Sequence, residues 1–173
     1  MEHAPHFPRE QWEAHPNYPA QTLLLGSHEN FRILALRVLE LSVETPERGE
    51  RLFRRWMYAM GSHERYEESK LYPYLTRRWD VSMDSLVDGH EELGERKADV
   101  FEAFAGVLER EGGDDEKKRL RHALRAFGDT LRAHLDLEEQ TVIPLLLELE
   151  PDEFADYYFL PISTLLERMS SHA

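Results

Sequence analysis

The chain contains the stretch His63-Glu64-Arg65-Tyr66-Glu67-Glu68-Ser69-Lys70-Leu71-Tyr72-Pro73, and its pattern returns as His134-Leu135-Asp136-Leu137-Glu138-Glu139-Gln140-Thr141-Val142-Ile143-Pro144. Both copies read His-x-x-x-Glu-Glu and end on two apolar residues followed by proline. A shorter pair precedes them, Gly26-Ser27-His28-Glu29 before the first copy and Asp88-Gly89-His90-Glu91 before the second. An internal repeat of this kind predicts a duplicated structural unit. Here the unit is a helical hairpin, and each half carries two histidines and a pair of glutamates.

Four long stretches place apolar residues at alternating spacings of three and four, which is the pattern of helices that bury one face. Thr45-Pro46 can cap and open the second helix, and Gly112-Gly113 ends the third. Pro73 is predicted to kink or weaken the last turn of the second helix, because it cannot donate to the carbonyl of Ser69. The predicted helices cover about 21–43, 46–76 and 83–111, and the fourth begins at about 114.

The sequence predicts an all-α fold, an antiparallel up-down four-helix bundle over residues 21–150. An N-terminal arm over 1–20 precedes the bundle, and a short C-terminal helical extension over 151–173 follows it. The arm is rich in proline and carries aromatic residues, so we expect it to pack on the bundle rather than to continue a helix. The extension either closes the end of the bundle or forms a subunit contact, and the sequence leaves both open.

The composition restricts which metal ligands, binding partners and cellular location we expect. The chain has no cysteine, so any metal must be held by imidazole and carboxylate. Its formal net charge of -13 argues against nucleic acid and anionic membranes as partners, because both attract Lys and Arg. No apolar run approaches the roughly 20 residues of a membrane span, and the first residues lack the pattern of a signal peptide. We therefore expect a cytoplasmic protein.

Polar residues interrupt the apolar lines of the predicted helices. Counted from their connection, His28 and His63 both lie roughly 21 to 22 Å along the first hairpin, and His90 and His134 both lie roughly 30 Å along the second. A single histidine at a buried position of a helix is usually a packing residue. Four imidazoles buried with two carboxylates would cost several kcal/mol per charge without a cation, and helix bundles hold metal pairs with such groups. We predict a dinuclear metal site with the ligands His28, His63, Glu67, His90, His134 and Glu138.

Several further acids adjoin the predicted ligands in sequence. Most are expected on the flanks of the helices or in solvent, and some are expected to orient a ligand imidazole through its second nitrogen. Glu139 is an alternative to Glu138, because a slight rotation of the helix exchanges them. His122 lies off the apolar line and is predicted at the surface. The adjoining acids are Glu29, Glu64, Glu68, Glu91, Glu92 and Glu139.

At these residues, over about 21–148, the sequence resembles the hemerythrin-like proteins of the HHE cation-binding domain family. The resemblance implies that His28 and His63 bind one iron ion and that a second histidine pair, His90 and His134, binds the other. It also implies that Glu67 and Glu138 bridge the two irons together with an oxo or hydroxo species. Manganese or zinc can use the same ligands. Ferritin-like di-iron bundles use Glu-x-x-His instead, and no histidine here has glutamate three positions before it.

One departure from the family pattern concerns Gly94. Oxygen-carrying hemerythrins have a further ligand histidine one turn after the position of His90, where this chain has Gly94. The missing side chain leaves room for water, another acid or an exogenous molecule beside one metal. The predicted buried line of the third helix, the row of side chains that faces the core, is Val87, His90, Gly94, Ala98, Phe101, Ala105 and Leu108.

The leading hypothesis is a non-haem di-iron protein that binds O2 or a related small molecule, NO or peroxide, for sensing, storage or detoxification. One alternative is a peroxidase- or catalase-like di-iron enzyme with Tyr66, Tyr72 or Trp56 near the metals. Another is an iron-handling or structural metal-binding protein. The expected partner is therefore a small-molecule ligand, with no nucleic acid and no membrane, and the expected oligomeric state is a monomer or a homodimer.

Overall fold

The fold is built from helices. The computed structural model describes residues 7–109 and 113–170, and the regular elements in these residues are all helical, which confirms the predicted class. None of the helices in these two ranges is long and apolar enough to cross a lipid bilayer. In chain order the elements are the 3₁₀ turns Arg9–Ala14 and Tyr18–Gln21, α1 (Thr22–Glu44), α2 (Pro46–Tyr66), a π-helical turn (Glu67–Leu71), α3 (Tyr72–Trp79), α4 (Asp84–Glu109), α5 (Asp114–Leu147), α6 (Pro151–Phe159) and α7 (Ile162–Ser170).

The four long helices surround a shared core. α1 lies against α2 and α5, and α4 lies against α5 and α2. Aromatic rings fill the space between them, and the ring centroid of Phe127 is 5.4 Å from those of both Phe53 and Trp56. The predicted helix bounds agree with the observed ones to within a few residues, although the predicted end of the third helix at Glu111 lies outside the described residues. The up-and-down direction of the four helices stays a prediction.

The end of α2 departs from regular helix next to Pro73. This residue has no N–H to donate to the preceding turn. The chain responds with the π-helical turn Glu67–Leu71, in which the N–H of Tyr72 donates to the carbonyl of Glu67. The predicted disturbance at the proline is therefore confirmed, and the helix continues as α3 past its predicted end. The two copies of the repeat differ here, because α5 continues through Pro144 as a regular α-helix.

The buried face of α4 is rotated from the predicted one. The predicted line runs through Gly94, but Ala98 and Leu108 on that line are exposed. Both lines share His90, and the packing of α4 against α5 and α2 decides which of the two adjacent rows is covered. The predicted line was therefore wrong at Ala98 and Leu108, whereas Val87 and Phe101 are half-buried and pack against the core. The observed buried line is Leu86, His90, Leu93, Val100, Phe104 and Val107.

The N-terminal arm covers the end of α5. Trp12 is buried against Ile143 and Leu147. The side-chain amide of Asn17 donates to the carbonyl oxygen of Leu147 at 2.7 Å. The described part of the arm, residues 7–20, therefore packs on the same helix that carries the second copy of the repeat.

The C-terminal helices α6 and α7 cover the end of α5 from another side. Tyr157 of α6 and Leu165 of α7 are buried in one cluster with Leu71 and Leu146, and α7 packs against α3. With the arm on one side and these helices on the other, α5 is buried on all faces from 142 to 147. The division of the chain at residues 20 and 150 stays a prediction.

Candidate metal centre

The first half of the centre is formed by side chains of α1, of the first copy of the repeat at the end of α2, and of α5. The Nε2 atoms of His28 and His63 face each other at 3.1 Å. Oε1 of Glu67 lies 2.6 Å from Nε2 of His63, and Oε2 of Glu138 lies 3.4 Å from Nε2 of His28. One ligand atom from each of these four residues lies within 4.8 Å of the other three. This cluster can hold a metal ion.

The second half lies beside the first. The ring centroids of His90 and His134 are 4.6 Å apart. The second oxygen of Glu67 lies 3.5 Å from Nε2 of His90, and Oε2 of Glu138 lies 3.8 Å from Nε2 of His134. Each of the two carboxylates therefore lies between a histidine of the first pair and a histidine of the second. The structure brings all six predicted residues together.

Buried polar atoms without partners show that these residues fit a metal centre. Within residues 7–109 and 113–170, both ring nitrogens of His134 and Oε2 of Glu138 are buried and make no hydrogen bond. Leaving such an atom unsatisfied costs about 1–3 kcal/mol. A cation among these nitrogen and oxygen atoms would satisfy them, and imidazole with carboxylate suits iron, manganese and zinc.

The second glutamate of each repeat lies behind a histidine of the other half. Oε1 of Glu139 is 3.1 Å from Nδ1 of His28, and Oε1 of Glu68 is 2.7 Å from Nδ1 of His90. A carboxylate in this position fixes the ring and leaves its other nitrogen free to face a metal. Glu139 therefore lies behind the centre, whereas Glu138, its alternative in the sequence, faces the centre.

Arg32 is a residue of the site that the sequence analysis missed. Its guanidinium donates to Oε1 of Glu139 at 2.8 Å and to Asp136 at 2.7 Å, and Arg9 of the arm lies 2.8 Å from the other oxygen of Glu139. Burial raises the pKa of Glu139, but hydrogen bonds with His28 and Arg32 outweigh it and lower the pKa to about 2. Arg32 lies one turn after His28, and this spacing was the available signal.

The charges inside the centre are unevenly distributed. Burial lowers the pKa of His28, but hydrogen bonds with Glu139 and Glu67 outweigh it and raise the pKa to about 9. Burial, together with the charge of His90, lowers the pKa of His134 to about 4. Burial and the charge of Glu67 raise the pKa of Glu138. Without a cation, Glu67 therefore depends on the histidines for compensating charge, whereas Glu138 is driven toward its neutral form.

Among the three aromatic candidates named from the sequence, Tyr72 contacts the centre. Its hydroxyl donates to Oε1 of Glu138 at 2.8 Å, and its ring stacks on His90 with centroids 5.9 Å apart. The two other aromatic candidates have different surroundings. Tyr66 hydrogen-bonds to the hydroxyl of Tyr157, and Trp56 packs in the aromatic core.

Two glycines of α4 have different surroundings. A Cβ atom at Gly89 would lie 2.4 Å from Nδ1 of His134, so only glycine lets the imidazole lie where it does. A Cβ atom at Gly94 would meet nothing within 4 Å. The position of the missing family histidine is therefore open space.

Replacing Gly89 with alanine should displace His134 and lower the metal content by about half, because the first histidine pair is untouched. The measurement is elemental analysis of metal per chain, with circular dichroism to verify the helical fold. Gly94→Ala is the matched control on the same helix and should keep the wild-type metal content. Full metal content in Gly89→Ala would show that the second ion does not need the His134 ring in the position that Gly89 allows.

The model of the hemerythrin HHE cation binding domain matches residues 20–146 of the chain. The matched range covers more than half of the chain and contains all six converging residues, and it leaves out α6 and α7. No curated protein and no solved structure matches the chain.

Proposed function

Because the chain belongs to the hemerythrin HHE cation binding domain family, we propose that it holds two iron ions and binds O2 or a related small molecule, NO or peroxide. His28 and His63 hold one ion and His90 and His134 the other. The observation that carries the proposal is the position of the two carboxylates, each between a histidine of one pair and a histidine of the other. Iron held by these residues would supply a redox-active ion to which the small molecule binds.

The chain's own residues supply orientation and space. The second glutamates hold the Nδ1 atoms of two histidines, and the hydroxyl of Tyr72 holds one oxygen of Glu138. A Cβ atom at Gly94, one turn after His90, would meet nothing within 4 Å, and we infer that the small molecule approaches the second histidine pair from this side. We also infer the antiparallel up-down order of α1, α2, α4 and α5, supported by the short connection between α1 and α2. We propose that binding of the small molecule serves sensing, storage or detoxification.

Metal content per chain on freshly purified protein, with the optical spectrum before and after exposure to oxygen, tests the proposal. Two irons with an oxygen-dependent absorption change are the expected result. Two redox-inert ions, or a single ion, would favour the structural or iron-handling alternative. Protein that neither carries metal as purified nor takes up iron would contradict the proposal.

A peroxidase- or catalase-like activity is the second candidate function, and Tyr72 is the observation that favours it. A phenol bonded to Glu138 and stacked on His90 lies where it can pass a proton or an electron to the centre. Hydrogen peroxide turnover by the iron-loaded protein, and not by the metal-free protein, would establish the activity. An iron-loaded protein without turnover would exclude it.

Replacing Tyr72 with phenylalanine should lower that turnover by roughly 10- to 100-fold, the cost of losing a group that orients a metal ligand. The rate is measured at saturating iron, so that weaker metal binding does not contribute. Tyr58→Phe is the matched control on α2, because Tyr58 is 80% exposed. Equal turnover in Tyr72→Phe and wild type would show that the hydroxyl has no part in the reaction.

A further inference from the structure

A pocket of about 480 Å³ opens beside the metal centre. It lies between the start of α1, the end of α2 with the π-helical turn, and α6. Its size falls within the roughly 300–1,000 Å³ of small-molecule sites, and its walls are mostly apolar. The apolar side chains that line it include Leu24, Leu71, Leu146, Phe154 and Tyr157.

Three polar side chains distinguish this pocket from a packing defect. His63 forms part of its wall, so a molecule in the pocket would touch the outside of the first histidine pair. Gln21 also lines the pocket and is only 3% exposed, yet its Nε2 makes no hydrogen bond with any part of the chain that the structure describes. A buried amide of this kind normally has a partner. A ligand with an acceptor atom at this wall of the pocket would supply the missing partner of Gln21.

The third polar side chain is Lys70, and its positive charge favours a ligand with a negative charge. Its ammonium lies over the Tyr157 ring, 5.2 Å from the centroid, and contacts the carbonyl of Tyr158 at 3.4 Å. The chain carries 34 acidic residues, but no aspartate or glutamate of the described residues lines this pocket. A lysine and an unpaired amide without a competing carboxylate favour an anion.

We propose that this pocket binds a small organic carboxylate, with its apolar body among the leucines and aromatic rings and its carboxylate recognised by Lys70 and Gln21. The ligand lies against His63 and covers that side of the centre. The effect on the metal centre rests on the function proposed above, whereas binding to the pocket does not.

Titration calorimetry with phenylacetate and with 2-phenylethylamine tests the proposal, because the two probes share a ring and differ in charge. Phenylacetate should bind, and the amine should bind at least about ten-fold more weakly, the change that loss of one charged hydrogen bond produces. Lys70→Met and Gln21→Leu should each weaken phenylacetate binding by about ten-fold. Lys118→Met is the matched control, since it lies roughly 42 Å along α5 from Leu146 and should bind as wild type does.

The titrations are run on metal-loaded and metal-free wild-type protein, with metal content measured on the same samples. Phenylacetate binding in both supports the pocket, and a shift in the optical spectrum of the loaded protein on binding supports contact with the centre. Absence of phenylacetate binding, equal binding of the amine, or unchanged binding by Lys70→Met would overturn the proposal. Protein that binds phenylacetate but no metal would contradict the metal function and leave the pocket standing.

Discussion

Glu67→Gln should lose nearly all bound metal. The two oxygens of Glu67 lie 2.6 Å from Nε2 of His63 and 3.5 Å from Nε2 of His90, so this carboxylate serves both halves of the centre. Burial raises its pKa, but hydrogen bonds with three histidines outweigh it and hold the pKa well below its usual range. The side chain is therefore anionic, and glutamine keeps its size while removing its charge. The loss of affinity should exceed the roughly 10- to 100-fold cost of losing a group that only orients a ligand.

Elemental analysis of metal per chain measures this effect, and circular dichroism checks that the variant is folded. Glu29→Gln is the matched control, because Glu29 adjoins His28 in sequence but is exposed. It should keep the wild-type metal content. Glu67→Gln should also lose more metal than Gly89→Ala, which affects one histidine pair. Wild-type metal content in Glu67→Gln would remove this residue from the ligands and contradict a centre bridged by two carboxylates.

The sequence was sufficient to predict the helices and the six converging residues, because both depend on spacing along a single helix. A row of apolar side chains at helical spacing specifies one face, and a histidine on that row must enter the core. The repeat then placed His63 with Glu67 and His134 with Glu138 on two such faces. Equal distances from each helix connection placed His28 level with His63 and His90 level with His134. Packing of the two hairpins against each other then brings the two pairs together in the structure.

Contacts between elements were not predictable from spacing. The buried line of α4 passes through Leu93 rather than Gly94, because the neighbouring helices decide which of two adjacent rows is covered. The choice between Glu138 and Glu139 depends on the same kind of rotation, since both are fully buried. Arg32 carried a local signal, but its partner Glu139 lies 107 residues away, and no spacing within one helix reveals such a pair.

Arg32→Ala should lower both stability and metal affinity. Removing one partner of a buried ion pair costs about 3–5 kcal/mol. The side chain of Arg32 is 20% exposed, and Glu139 keeps its contacts with Arg9 and His28, so we expect about 2 kcal/mol. For a chain of this size that corresponds to roughly 4–8 °C in Tm. Metal affinity should fall by roughly 10- to 100-fold, because Glu139 then holds the ring of His28 less firmly.

Thermal unfolding of the metal-free protein measures the contribution of the ion pair to stability without any contribution from bound metal. Titration of the folded protein with iron then measures the metal affinity separately. Arg37→Ala is the matched control on the same helix, because its pair with Glu40 is exposed on both sides and such changes stay within about 0.5 kcal/mol. A variant with lower Tm but unchanged affinity would make Arg32 a structural residue alone. Lower affinity with unchanged Tm would show that the arginine acts on the centre through Glu139 and His28, because its guanidinium reaches the centre only through that carboxylate.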